Sequence, residues 1–265
     1  MILDSAPTDG LRAFLIDCGS AGVRDLDRTR DLIDQTIVSL KRTKTERARS
    51  NWEAPLSARW YASLGTGIAD YGVYAEDDYL AEVWACWVIY SRAYLRRMRQ
   101  DDFAGRAGAE IRSVVDLGCG CGHTTAALRG LFPHARVIGT NVPTGKQTDI
   151  ARMMGQRYGF EIITDMNDLP SMIDLVFASE YFEHWRAPVD HLHAMLGQMR
   201  PRALLVANSF GTRSIGHFDD YMIDRQRIEG SRCSRMFNSA LRHDGYEKQK
   251  TTFWNGRPAY WVRRS

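Results

Sequence analysis

Val114 to Thr125 reads VVDLGCGCGHTT, a run of apolar β-formers that ends in three glycines within five residues. The pattern predicts a strand, a sharp turn and then a helix over TTAALRGLF (residues 124–132). Glycine allows both the turn torsions and a close approach of backbone to a ligand. At the carboxyl end of the first parallel strand, such a turn lies where open α/β sheets bind nucleotide-like ligands. The spacing is G-x-G-x-G. A dinucleotide fingerprint needs a glycine three residues after the second, where this chain has His123.

The pattern extends outward from that turn. IRSVVDL (111–117), ARVIGT (135–140), FEIIT (160–164), IDLVFAS (173–179) and ALLVANS (203–209) are short β-rich runs separated by helical patterns. That alternation predicts a parallel sheet covered by helices on both faces. In the tail, GYEKQKTTFWNGRPAYWVRR, two β-rich runs flank Asn255-Gly256, a strong hairpin signal, so an antiparallel pair is expected to close the sheet. Upstream, residues 24–49 read as one or two amphipathic helices. Glu76, Asp77, Asp78 and Glu82 open a second helix that Arg96, Arg97 and Arg99 close, acids first and bases last as a helix dipole prefers. DDFAGRAGAE (101–110) reads as the linker between the two halves.

The 265 residues, 44% hydrophobic with net charge +3, suit one large α/β domain or such a domain with a helical appendage. That charge does not by itself call for nucleic acid. The five cysteines are scattered and form no C-x-x-C pair, so they read as reduced thiols in a cytoplasm, with no metal site expected. The N-terminus carries acids and a Pro7-Thr8-Asp9-Gly10 turn in place of a signal peptide's basic start and apolar core. The longest apolar run, AEVWACWVIY (81–90), is too short to span a membrane. A soluble cytoplasmic protein without a membrane partner is therefore expected.

The D-x-G-x-G-x-G pattern of Asp116 to Gly122, in this setting, resembles the first motif of class I S-adenosylmethionine-dependent methyltransferases, and the resemblance runs through residues 111–265. Asp165 in ITDMNDLP stands where such enzymes place an acid against the adenine amino group. SEYFEHW (Ser179 to Trp185) looks like the segment after their fourth strand, and the closing hairpin matches their reversed seventh strand. The resemblance implies an α/β fold with a Rossmann-like seven-stranded sheet, six strands parallel and one antiparallel. It implies a core over residues 106–265 and leaves residues 1–105 as an N-terminal helical extension or cap. It implies S-adenosyl-L-methionine as cofactor, held by Asp116, Gly118, Cys119, Gly120, Gly122, Asn141, Asp165, Met166 and Glu180. One position departs from the family. The second strand usually ends in an acid that grips both ribose hydroxyls, and here Asn141, an amide able to accept one hydrogen bond and donate another, takes that place.

Methyl transfer is an in-line displacement at a sulfonium, so an enzyme must align the acceptor atom and deprotonate it where it is a hydroxyl or amine. Glu180, His184 and His217 are the candidate catalytic residues, with Glu183 beside them. No Asp/Asn/Ser-Pro-Pro-aromatic tetrapeptide follows the fourth strand and no Pro-Cys dipeptide appears, which counts against DNA-base methylation. The aromatic-rich segment before Gly105 (Trp52, Trp60, Tyr61, Tyr71, Tyr74, Tyr79, Trp84, Trp87) suits a lid over a small or nucleotide-sized acceptor. The alternatives are a nucleic-acid methyltransferase, for which the basic stretch Lys41 to Arg49 is the signal, and a cofactor-binding protein without transfer chemistry.

Overall fold

The computed structural model describes residues 2–41, 54–106, 111–143, 145–253 and 257–264. Most of the basic stretch, residues 42–49, and the Asn255-Gly256 turn lie outside them. Nine strands are formed by the described residues: β1 (Ser113–Leu117), β2 (Arg136–Thr140), β3 (Glu161–Ile163), β4 (Leu175–Ser179), β5 (Ala203–Ala207), β6 (Asp220–Ile223), β7 (Gln226–Glu229), β8 (Tyr246–Gln249) and β9 (Ala259–Arg263). Seven of them make one sheet in the order β3-β2-β1-β4-β5-β9-β8. Strands β1 to β5 pair in parallel, while β9 runs antiparallel to both its neighbours, β5 and β8. Six strands therefore share one direction and one opposes them, as expected. Val114, Val115 and Leu117 of β1 are wholly buried, the unbroken apolar run of a central strand covered on both faces. The chain leaves β1 toward β2 on one side and reaches β4 on the other. That reversal opens a crevice at the carboxyl end of β1.

The helices are α1 (Pro7–Ser20), α2 (Leu26–Lys41), α3 (Ala54–Gly65), α4 (Tyr79–Cys86), α5 (Arg92–Gln100), α6 (Phe103–Arg106), α7 (His123–Leu131), α8 (Lys146–Tyr158), α9 (Pro188–Met199) and α10 (Gly230–His243). A π-helical turn, Trp87–Ser91, joins α4 to α5, so the expected second helix is one rod with a wide turn in it. Two sequence expectations are corrected. The residues read as a Pro-Thr-Asp-Gly turn are the first turn of α1, a place that tolerates proline. Gly10 there has a packing reason, since a Cβ on it would stand 3.2 Å from Trp84. The expected linker contains α6, whose Phe103 is buried against Phe253 and Tyr260.

The N-terminal helices share the core of the sheet. Phe14, Leu80, Trp84, Trp87 and Leu95 belong to the same buried cluster as Val114, Ala126, Leu128 and Phe177. On the other face, Trp60 and Val73 join Leu117, Val176 and Leu204. Polar ties cross the same boundary. Arg157 of α8 donates to both oxygens of buried Asp17 in α1 at 2.9 and 2.7 Å, and Lys146 Nζ donates to Asp77 at 2.5 Å. No helix among the described residues is long and apolar enough to cross a membrane.

A shared core predicts cooperative unfolding. Asp17→Asn removes the charge that Arg157 answers. Because Arg157 is partly exposed, the loss should be about 1–2 kcal/mol, between the surface and buried ranges. Urea denaturation followed by far-UV circular dichroism should show a single transition displaced to lower urea. Two separate transitions, or an unmoved midpoint, would contradict the shared core.

Candidate active site

The glycine turn is built as the sequence expects, and the geometry shows why each small residue is needed. Gly118, Gly120 and Gly122 all have positive φ, at 66°, 54° and 83°. A Cβ on Gly118 would fall 2.6 Å from Tyr181, and one on Gly120 would fall 2.9 Å from Val83 of α4. Gly122 packs against Phe160, Ala151 and Met154 instead of facing the crevice. Asp116, 2% exposed, accepts from Thr125 Oγ1 at 2.6 Å and so ties the end of β1 to α7. Burial lifts its carboxyl to about 7. Thr140 accepts from the Gly118 amide at 3.1 Å.

Asn141 gives the departure from the family pattern a physical basis. Its Nδ2 donates to the Gly120 carbonyl at 2.6 Å while its Oδ1 accepts from the Val142 amide at 3.0 Å. A carboxylate cannot donate to a carbonyl, so the amide is what clamps this loop.

A cavity of about 1480 Å³ lies over the turn. Of the residues expected to hold a cofactor, Gly118, Cys119, Gly120, Asn141, Met166 and Glu180 line it, and Asp116, Gly122 and Asp165 are not among its lining residues. The Asp165 carboxylate instead accepts from the Asn167 amide at 2.9 Å, capping the short 3-10 turn Met166–Asp168. The far wall is aromatic: Tyr71, Tyr74, Tyr79, Trp87, Tyr90 and Tyr94 all face the cavity from the N-terminal segment.

Glu180, His184 and His217 meet at one end of that cavity. Glu180 directly follows β4 with φ of 52°, its amide donating to Ala207 O and its Oε1 accepting from Ser209 Oγ at 3.1 Å. Glu183, wholly buried, accepts from the Ser209 amide at 2.5 Å. Desolvation raises both carboxyls, that of Glu183 far above the usual range, with the Glu180 charge adding to it. His184 Nδ1 pairs with Tyr74 Oη at 2.7 Å, and the ring also hydrogen-bonds the Glu180 backbone. Burial, with His217 nearby, holds it well below its ordinary value, so it is neutral. His217, 4% exposed, donates Nδ1–H to Thr212 O at 2.8 Å, and burial pulls it to about 4. Its Nε2 is then the ring's acceptor nitrogen.

Sequence reasoning missed Tyr74, Ser209, Tyr181 and Gly216. Tyr74 reaches His184 across 110 positions. Gly216 has φ of 82° and lies directly under that pair. Only the aromatic richness of the N-terminal segment hinted at Tyr74, and no local signal marks Gly216.

The comparisons with known proteins fit this geometry. Residues 115–207 match the family model described as methyltransferase domain. Over that segment, about a third of the chain, this is a methyltransferase domain. The chain is similar to malonyl-(acyl-carrier protein) O-methyltransferase of Methylovorus sp. (strain MP688), at 31% identity over 111 residues that cover 38% of this chain and 37% of that protein. The protein of the same name from Anoxybacillus flavithermus (strain DSM 21510 / WK1) is 23% identical over 105 residues, 39% of this chain and 40% of that one. The chain thus spans about two fifths of the length of these relatives. In fold, the solved mitomycin 7-O-methyltransferase MmcR matches all of this chain and 74% of its own, with a TM-score of 0.55 and 17% identity.

The close approach at Gly216 gives a prediction. A Cβ there would overlap Tyr74 Oη and His184 Nδ1, and the positive φ adds strain. Gly216→Ala should cost roughly 1–3 kcal/mol and change the tyrosine near-UV dichroism as Tyr74 moves. Unchanged stability and an unchanged spectrum would show that the Tyr74–His184 contact is loose.

Proposed function

We propose that the chain transfers the methyl group of S-adenosylmethionine to a small or nucleotide-sized acceptor held beneath residues 1–105, which cap a catalytic core over 106–265. One observation carries this reading: a single cavity joins the glycine turn to an aromatic wall supplied by the N-terminal helices. Gly118, Gly120, Asn141 and Met166 hold the cofactor's end, and Glu180 and His217 meet the acceptor. The cofactor, when bound, supplies a methyl carbon on a positive sulfur. That carbon would be open to displacement by a lone pair of an acceptor oxygen or nitrogen held in line with the carbon–sulfur bond. A hydroxyl or ammonium acceptor also sheds a proton, and Glu180 and His217 are the cavity-facing groups with room to influence that step. His184, with hydrogen bonds to Tyr74 and to the Glu180 backbone, orients the wall.

A roofed, ring-lined cavity accommodates a single flat or apolar group and excludes water around the reacting centre. It favours a small acceptor over duplex nucleic acid. The proteins it resembles carry O-methyltransferase names, with malonyl-acyl-carrier protein or mitomycin as the acceptor. An acceptor of that general kind, a carboxyl or hydroxyl oxygen on a small group, is the one we propose.

Calorimetry should show the parent binding S-adenosylmethionine and S-adenosylhomocysteine, and Gly120→Val, whose side chain meets Val83, binding neither while staying folded. In a labelled-methyl screen over metabolite, RNA and DNA fractions, label should enter small molecules. Glu180→Gln should cut the rate about 100-fold. Label in nuclease-sensitive polymer would overturn the acceptor class, and unchanged cofactor binding in Gly120→Val would overturn the site.

A further inference from the structure

Glu180, Glu183 and His217 come from two separate segments, the turn after β4 and the loop after β5. Each nonetheless brings one ligand-type atom within 4.8 Å of the other two. All three present acceptors. Ser209 satisfies one oxygen of each glutamate through its amide and hydroxyl. Glu183 is 0% exposed, and its Oε2 has no hydrogen-bond donor facing it; beyond the Ser209 amide its carboxyl meets only the Glu180 carboxyl, another acceptor unless one of the two carries a proton. His217 spends its N–H on Thr212 O, which makes Nε2 the acceptor nitrogen of the ring. A shared proton bridges two of three such groups and leaves the third unanswered, at a cost in a buried site. A cation answers all three.

We propose that Glu180, Glu183 and His217 form a divalent-cation site whose open side faces the acceptor half of the cavity. The donor set, two carboxylates and one imidazole, suits Mn²⁺, Mg²⁺ or Zn²⁺. Three ligands each about 2.1 Å from one ion stand roughly 3–3.6 Å apart, so the three atoms, within 4.8 Å of one another here, close on an ion by drawing together by about an ångström. The surrounding hydrogen bonds are those a metal site uses. The imidazole donates its other nitrogen to a backbone carbonyl, and Ser209 holds the carboxylates from behind. Arg257, the cation acting on Glu180 through space, brings one positive charge against two carboxylates. Three protein ligands leave coordination positions for an acceptor oxygen, whose proton a bound cation makes easier to lose. Glu180 and His217 then act by holding the ion. That last role rests on the methyltransferase reading, while binding of the ion does not.

The test is a titration of EDTA-treated, full-length protein with Mn²⁺, followed by electron paramagnetic resonance and calorimetry, with Mg²⁺ and Zn²⁺ as competitors. One ion per chain is expected, with affinity at least tenfold weaker in Glu183→Gln and in His217→Ala. Because Glu183 also holds the Ser209 amide, circular dichroism accompanies both variants, and His217→Ala decides should Glu183→Gln fail to fold. Failure of all three ions to bind the parent at millimolar concentration, or equal binding by His217→Ala, would overturn the site. S-adenosylhomocysteine binding to the EDTA-treated parent is run alongside. Its survival without metal binding would refute only the cation, and its loss in a folded, metal-binding protein would refute only the cofactor.

Discussion

Everything in this chain is arranged around a glycine turn that has no space for side chains. Tyr181 presses on Gly118, Val83 on Gly120, and α8 with Phe160 on Gly122. These neighbours come from the turn after β4, the N-terminal helices and the α8 layer. The turn is therefore the point where three parts of the structure touch, and its left-handed torsions keep them in register. His123, the next residue, extends the same constraint. Its buried ring packs between Phe14, Trp84 and Trp87, and burial lowers it to about 3, so it serves as a neutral aromatic. The N-terminal helices are fastened to the start of α7, directly behind the place where a ligand would lie.

That arrangement also sets the electrostatics. Asp116 sits near 7, and Glu180 and Glu183 are both raised, because water is excluded from these carboxyls, an effect that Arg257 only partly offsets at Glu180. Both histidines at the acceptor end are neutral for the same reason. The cavity is thus rich in acceptors and poor in fixed positive charge apart from Arg213 and Arg257 on its wall. Such a surface favours an occupant that carries positive charge, which a sulfonium does.

Much of the sheet was legible because its central strands β1, β4 and β5 are apolar runs buried on both faces, and runs of that kind announce themselves. The ribbon of β6 and β7 was not. Its turn uses Asp224 and Arg225, both with positive φ, where a hairpin signal expects Asn-Gly or Asp-Gly. Helix α10 escaped as well, since it opens on Gly230 and Ser231 and buries only a narrow stripe. Around the cavity, the glycine turn was picked out by its spacing, and Asn141, Glu180 and the two histidines by the family resemblance, while Asp116, Gly122 and Asp165, expected beside them, do not line it. The Asn141 clamp on Gly120, the Tyr74–His184 pair and the Ser209 contacts could not, because each joins segments from 21 to 110 positions apart. Residue types were readable, and their partners were settled by tertiary packing.

The central claim is that the N-terminal helices and the glycine turn bind one ligand together. Amide hydrogen exchange of the full chain, with and without saturating S-adenosylhomocysteine, tests it directly. The account predicts slower exchange in two places at once: residues 118–122 with Asn141, and the rod from Tyr79 to Gln100. Protection confined to the glycine turn, with the rod exchanging as before, would contradict a shared site.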